Sequence, residues 1–209
     1  VARLNEMTPK VVEEIAWQMG RPTRYGGEFG GVNARTDYMA TIAEATLAPH
    51  MIEDSDKFRR YLTREPLGVV FIVAPWNYPY LTTINTLAPA LMAGNTVVLK
   101  ASEHASAAML EFGELIEQAG IPPGVVNIVT GHGEPCGRAL TGHPLVARVS
   151  FTGGPNAARH VLENVKRNFA EVSLELGGKS VNLVLDDADF AAALPGAVSC
   201  CMHAGQGCA

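Results

Sequence analysis

Residues 68–74 read Gly-Val-Val-Phe-Ile-Val-Ala, an unbroken β-branched run that stops at Pro75. A run of this kind, without polar alternation, predicts a strand covered on both faces in a parallel sheet. A second buried strand is expected over 96–99, after Gly94-Asn95, and further strands over 125–129, 148–151, 172–176 and 181–185. Between them the apolar spacing changes to that of helices. Met109, Phe112, Gly113 and Ile116 make an i, i+3, i+4, i+7 face that Gly120 and Pro122 bring to a stop. Helical stretches are also predicted over 83–92, 135–140 and 157–168. Upstream, Val11, Val12, Ile15 and Met19, then Tyr38, Ile42 and Ala45, predict amphipathic helices over 8–19 and 33–48. Gly26-Gly27 and Gly30-Gly31 mark a loop between them, and 53–64 is a polar stretch.

Strands and helices alternating at this pitch predict an α/β fold with a doubly wound parallel sheet and right-handed crossovers. Ligands of such sheets bind beyond the carboxyl ends of the strands. The unusual residues cluster at those ends: Pro75-Trp76-Asn77, Lys100, Gly131-His132-Gly133 and Thr152-Gly153-Gly154.

At 209 residues the chain can bury a sizeable core, and 47 % hydrophobic with 18 % charged residues is globular composition. Sixteen Lys and Arg against 21 Asp and Glu give a net charge of -5, scattered without a basic stripe. We therefore expect neither nucleic acid nor an anionic membrane as partner. The apolar runs are shorter than the roughly 18 to 20 residues of a membrane span. Glu6, Lys10, Glu13 and Glu14 interrupt the first twenty residues, which lack the look of a signal peptide. Four cysteines, three between Cys200 and Cys208, are too few and too bunched for a disulfide framework, so a reducing, cytoplasmic setting is expected.

Several motifs admit both a chemical and a plain reading. Gly131-x-Gly133-x-x-x-Gly137 nearly fits a dinucleotide-binding turn but is one residue too long. Phe151-Thr152-Gly153-Gly154-Pro155 is a second turn that exposes amides at a helix start, or a tight turn only. Lys100 and Glu103 could grip ribose hydroxyls, or be a solvated pair at a helix start. Glu175, between Leu174 and Leu176 and beside Gly177-Gly178, could be a general base with a raised pKa, or the partner of Lys179. Cys200-Cys201-x-His203 with Cys208 fits no zinc spacing, and no metal is expected. Cys208 is set apart by Gly205-Gln206-Gly207, which lets substrate approach, although a lone cysteine is often inert.

Taken in order, Pro75-Trp76-Asn77, Pro89-Ala90-Leu91, residues 93–100, residues 119–127, Phe151-Thr152-Gly153, residues 174–180, Asp186-Asp187-Ala188-Asp189 and Gly205-Gln206-Gly207-Cys208 resemble the NAD(P)-dependent aldehyde dehydrogenases. The resemblance is strong over 65–209 and loose before it. It implies a Rossmann-like cofactor domain over 1–177 and the beginning of a catalytic domain over 178–209. It also implies Cys208 as the nucleophile, Asn77 as an oxyanion donor and Glu175 as the base that activates water. The cofactor, NAD with NADP as the alternative, would meet Pro75, Trp76, Lys100, Glu103, Gly133, Phe151, Thr152, Gly153, Gly154 and Leu176. A carboxylate at Glu103 would repel a 2′-phosphate and so favour NAD.

The resemblance further implies a small aldehyde as substrate and a homo-oligomeric parent, dimer or tetramer. Gly154 stands where many members carry serine. The second half of the family's catalytic domain, its other ribose carboxylate and its oligomerisation strands are missing. With Val1 in place of methionine and a stop one residue past Cys208, we expect a piece of a longer protein, inactive by itself. The competing readings are a non-catalytic NAD-binding or structural piece, and an acyltransferase or esterase use of the same thiol.

Overall fold

In the computed structural model, residues 6–178 and 181–202 are described, with backbone alone for 199–202. The main sheet has five parallel strands: β3 (Val69–Val73), β4 (Thr96–Lys100), β5 (Val126–Val129), β6 (Val146–Gly153) and β7 (Glu171–Leu176). Their spatial order is β5-β4-β3-β6-β7. The chain winds outward from β3 to β5, then crosses back and winds the other way from β6, so the order reverses between β3 and β6. The carboxyl ends of those two strands form the crevice where such sheets bind ligands.

Each face of the sheet has its own core. Val70 and Ile72 of β3 and Val97 and Leu99 of β4 pack under four helices. These are α1 (Thr8–Met19), α2 (Phe29–Leu47), α3 (Pro79–Met92) and α4 (Ser106–Gln118). Phe71 of β3 points the opposite way, as strand alternation requires, and joins Val149 and Phe151 of β6. That second core is closed by Ala158, Val161 and Val165 of α6 (Pro155–Val165) and by Leu140 of the short α5 (Arg138–Thr141). At the centre of the first core, the Tyr80 ring meets Phe29 edge-on at 5.1 Å and Phe112 at 5.8 Å. Its hydroxyl donates to the Ala108 carbonyl at 2.8 Å, giving a buried phenol the partner it needs.

Four sequence expectations are corrected. Gly30 and Gly31 belong to α2 rather than to a loop. A β-carbon at Gly31 would lie 3.0 Å from Leu81 Cδ1, so this glycine allows α2 and α3 to cross closely. The polar stretch over 53–64 holds part of an antiparallel hairpin, β1 (His50–Asp54) with β2 (Arg59–Leu62), closed by Ser55, whose hydroxyl accepts from the Phe58 amide at 3.2 Å. Residues 181–185 form no strand: Val181, Leu183 and Leu185 are exposed and have no ladder partner among the described residues. Residues 133–137 make a wide five-residue turn, and regular helix begins at Arg138. A further helix, α7 (Phe190–Met202), follows β7. Among the described residues no helix is long and apolar enough to cross a membrane.

Candidate active site

The carboxyl ends of the strands open onto one large cleft of about 2060 Å³. Every described residue that the sequence singled out as catalytic or cofactor-binding lines it: Pro75, Trp76, Asn77, Lys100, Glu103, Gly133, Phe151, Thr152, Gly153, Gly154, Glu175 and Leu176. Cys208, Cys200, Cys201, His203 and Lys179 are placed outside the described residues or have only backbone there.

At the end of β4, Lys100 is 3 % exposed, which rules out the plain reading of a solvated lysine. Its stem runs past Gly137, and Nζ donates to the Ala101 carbonyl at 2.8 Å while lying 3.8 Å from Glu103 Oε2. Glu103 is the solvated member of the pair, its side chain 43 % exposed. A hydrogen bond from its own backbone N–H is the largest influence on its carboxyl; burial opposes it, and the nearby charges, Lys100 first, add to it, so that the carboxyl is held below the usual carboxylate range.

At the end of β6, Gly154 is the N-cap of α6 and Pro155 its first residue. With no side chain at the cap, the first helical amides are left to a ligand, and the helix dipole makes this end attractive to anions. A β-carbon at Gly153 would stand 2.7 Å from Cζ of Phe151, so any larger residue in this turn has to displace that ring. On β7, Glu175 pairs in register with Thr152 and Leu176 with Gly153. Alternation turns Glu175 away from the core that holds Leu174 and into the cleft, where it is exposed.

The loop that leaves β3 carries Asn77, whose side-chain oxygen accepts from the Tyr78 amide at 3.1 Å. Two residues that sequence reasoning missed hold this loop. Arg21, 2 % exposed, donates to the Asn77 carbonyl at 2.6 Å, lies over the Tyr78 ring at 4.5 Å and sits 3.1 Å from Glu28. Glu28 in turn accepts from the Leu81 amide at 2.7 Å. Burial pushes the Glu28 carboxyl up, while that amide and the Arg21 charge pull it back. A polar row on β6 and β7 was also missed. Arg148 donates to Glu171 at 2.8 Å and to Ser173 at 2.5 Å, and Ser150 shares a 3.1 Å hydrogen bond with Thr86 of α3. The alternation Arg148-Val149-Ser150-Phe151-Thr152 was the available signal.

The model sequence of a family described as the aldehyde dehydrogenase family matches residues 2–209. Over 202 residues the chain is 42 % identical to (Z)-2-((N-methylformamido)methylene)-5-hydroxybutyrolactone dehydrogenase of Acinetobacter baylyi, covering 96 % of this chain and 39 % of that protein. It is 41 % identical over 186 residues to betaine aldehyde dehydrogenase 1 of Oryza sativa subsp. japonica, covering 87 % and 37 %. Among solved structures, PnpE in complex with nicotinamide adenine dinucleotide superposes with a TM-score of 0.91 at 35 % identity, covering 97 % of this chain and 42 % of that one. The chain thus spans about two-fifths of the length of the relatives it matches.

Proposed function

Because this chain belongs to the aldehyde dehydrogenase family, we propose that the whole protein oxidises a small aldehyde to its carboxylic acid with NAD, using Cys208 as nucleophile. The observation that carries this reading is the convergence of Asn77, Lys100, Glu103, the Thr152-Gly153-Gly154 turn and Glu175 on one cleft at the switch point of the sheet.

The edge suits a dinucleotide. The side-chain-free cap of α6 offers amides to a pyrophosphate, and Lys100 brings a buried positive charge to the cleft wall beside Glu103. Pro75, Trp76, Gly133, Phe151 and Leu176 supply the surrounding surface. The exposed Glu103 carboxylate supports a preference for NAD, because a 2′-phosphate near it would be repelled. Tighter binding of NADP than NAD by the full-length protein would refute that preference.

NAD, when bound, supplies the two-electron acceptor. The rest falls to side chains. The Cys208 thiol gives up its proton and its sulfur attacks the aldehyde carbon. The Asn77 side-chain amide and the Cys208 backbone N–H donate to the oxygen as it gains charge, an effect worth about 3 to 4 kcal/mol per donor. After oxidation the acyl group is a thioester on Cys208. Glu175 then takes a proton from water, the water oxygen attacks the acyl carbon, and the acid leaves with the thiolate restored.

The test is aldehyde-dependent NADH formation by the full-length protein. Cys208→Ala is expected to abolish it, and Glu175→Gln to keep the first turnover while slowing later ones. A Cys208→Ala protein that turns over at the wild-type rate would overturn the proposal.

A further inference from the structure

Arg21 and Glu28 form an ion pair with both side chains almost fully buried, 2 % and 1 % exposed. Replacing such a pair with apolar residues is often neutral or stabilising, because two charges must be stripped of water to make it. Stability alone is therefore a weak reason for its presence. Its side-chain contacts give a better one, since the hydrogen bonds and the ring contact shown for them fall on residues 77–81.

One guanidinium nitrogen donates to the backbone carbonyl of Asn77 at 2.6 Å, and the planar group lies over the ring of Tyr78, the next residue. Glu28 accepts from the Leu81 amide in the first turn of α3. The pair therefore holds the junction of this loop with α3 at two points, the Asn77 carbonyl and the Leu81 amide in the first helical turn. Within the grip, the Tyr78 amide donates to Asn77 Oδ1. That bond fixes the oxygen end of the Asn77 side chain, and Asn77 lines the cleft. The Asn77 carbonyl and the Glu28 carboxylate both lie on one terminal nitrogen, Nη2, while the guanidinium plane covers the Tyr78 ring, a flat contact that a compact ammonium does not reproduce.

We propose that Arg21, held by Glu28, is a positioning residue that pins the Asn77 backbone and so aims the Asn77 side-chain amide at the reacting oxygen. The proposal rests on the dehydrogenase reading given above. Arg21 touches neither substrate nor cofactor and acts through Asn77.

The test uses the full-length protein and the double variant Arg21→Met/Glu28→Gln, which strands no buried charge and keeps an oxygen for the Leu81 amide. Its kcat is expected to fall on the order of 10- to 100-fold, the range for misplacing one transition-state donor, with the dissociation constant for NAD unchanged. Placed on Asn77→Ala, the same double substitution is expected to change kcat less than about twofold, since there is no amide left to aim. An equal loss in both backgrounds would show a general structural effect and overturn the proposal. So would full kcat in the double variant.

Hydrogen exchange at the Tyr78 amide provides a readout that needs no turnover, and it is expected to quicken at least about tenfold while β3 stays protected. Unchanged exchange there sinks the positioning role even if the wild type oxidises no aldehyde, whereas an inactive wild type with quickened exchange in the variant sinks only the dehydrogenase reading. Should the double variant fail to fold, Arg21→Lys preserves the charge balance and is expected to lower kcat in the same direction, with normal kcat overturning the proposal.

Discussion

Replacing Asn95 with alanine removes a cross-link at the start of the sheet. Asn95 is 7 % exposed. Its Oδ1 accepts from the Leu67 amide at 2.7 Å and the Gly68 amide at 3.1 Å, and its Nδ2 donates to the Ala90 carbonyl at 3.0 Å. One side chain thereby ties the lead-in to β3 to the end of α3 and the start of β4. The three bonds are unequal in consequence. The Ala90 carbonyl also accepts from the Asn95 backbone amide at 3.0 Å, so it keeps a partner when the side chain goes. The Leu67 and Gly68 amides lose theirs, at about 1 to 3 kcal/mol each for a stranded buried donor. Both amides are part-buried, so the lower end applies. Asn95→Ala should thus cost about 2 to 3 kcal/mol. Asn95→Asp keeps both acceptor bonds but sets a carboxylate oxygen against the Ala90 carbonyl at a buried position, so its cost should shrink on acidification while that of Asn95→Ala does not. Urea unfolding of the full-length protein, with the midpoint shifting and the slope unchanged, measures both. A loss under about 0.5 kcal/mol for Asn95→Ala, or a cost of Asn95→Asp that does not change with pH, would refute this reasoning.

Two further outcomes are expected. Tyr80→Phe removes only the bond to the Ala108 carbonyl and should cost about 1 kcal/mol, whereas Tyr80→Ala also empties the space between Phe29 and Phe112 and should cost about 3 to 5 kcal/mol; similar losses in the two, read from denaturation midpoints, would contradict the packing described. Glu103 is ionised more readily in the folded chain than in the unfolded one, so its contribution to stability is fully present above the ordinary carboxylate pKa of about 4.3 and is lost as pH falls below it. The midpoint gap between wild type and Glu103→Gln should close on acidification, and a gap independent of pH would count against the assignment.

What the sequence disclosed and what it concealed have physical causes. The strands at 68–74 and 96–99 were legible because burial on both faces demands continuous apolar residues, and Val70, Ile72, Val97 and Leu99 supply them. The hairpin was concealed because almost all its positions are exposed, so no buried face imposes a period on Met51, Ile52, Tyr61 and Leu62. Residues 181–185 misled for the opposite reason, being apolar without a neighbouring strand among the described residues. The cleft residues could be picked out one by one, since each lies at the carboxyl end of a strand or within a few residues past it. The burial of Lys100 could not, because it depends on its stem passing Gly137, far along the chain. Nor could Arg21, which is 56 residues from the carbonyl it holds. Local spacing carries no record of such a contact.

Phe151 and Gly153 lie on one strand, two positions apart, and the ring of the first fills the space where a side chain on the second would begin. Their substitution histories are therefore linked. While residue 151 stays aromatic and 4 % exposed, a side chain at 153 has to displace its ring. A lineage that first shortened 151 would free the turn but hollow out the second core. Both single steps are unfavourable, so a new ligand-binding turn at this strand end is reached only by two changes together, and the interior of the domain sets the pace at which its rim can evolve.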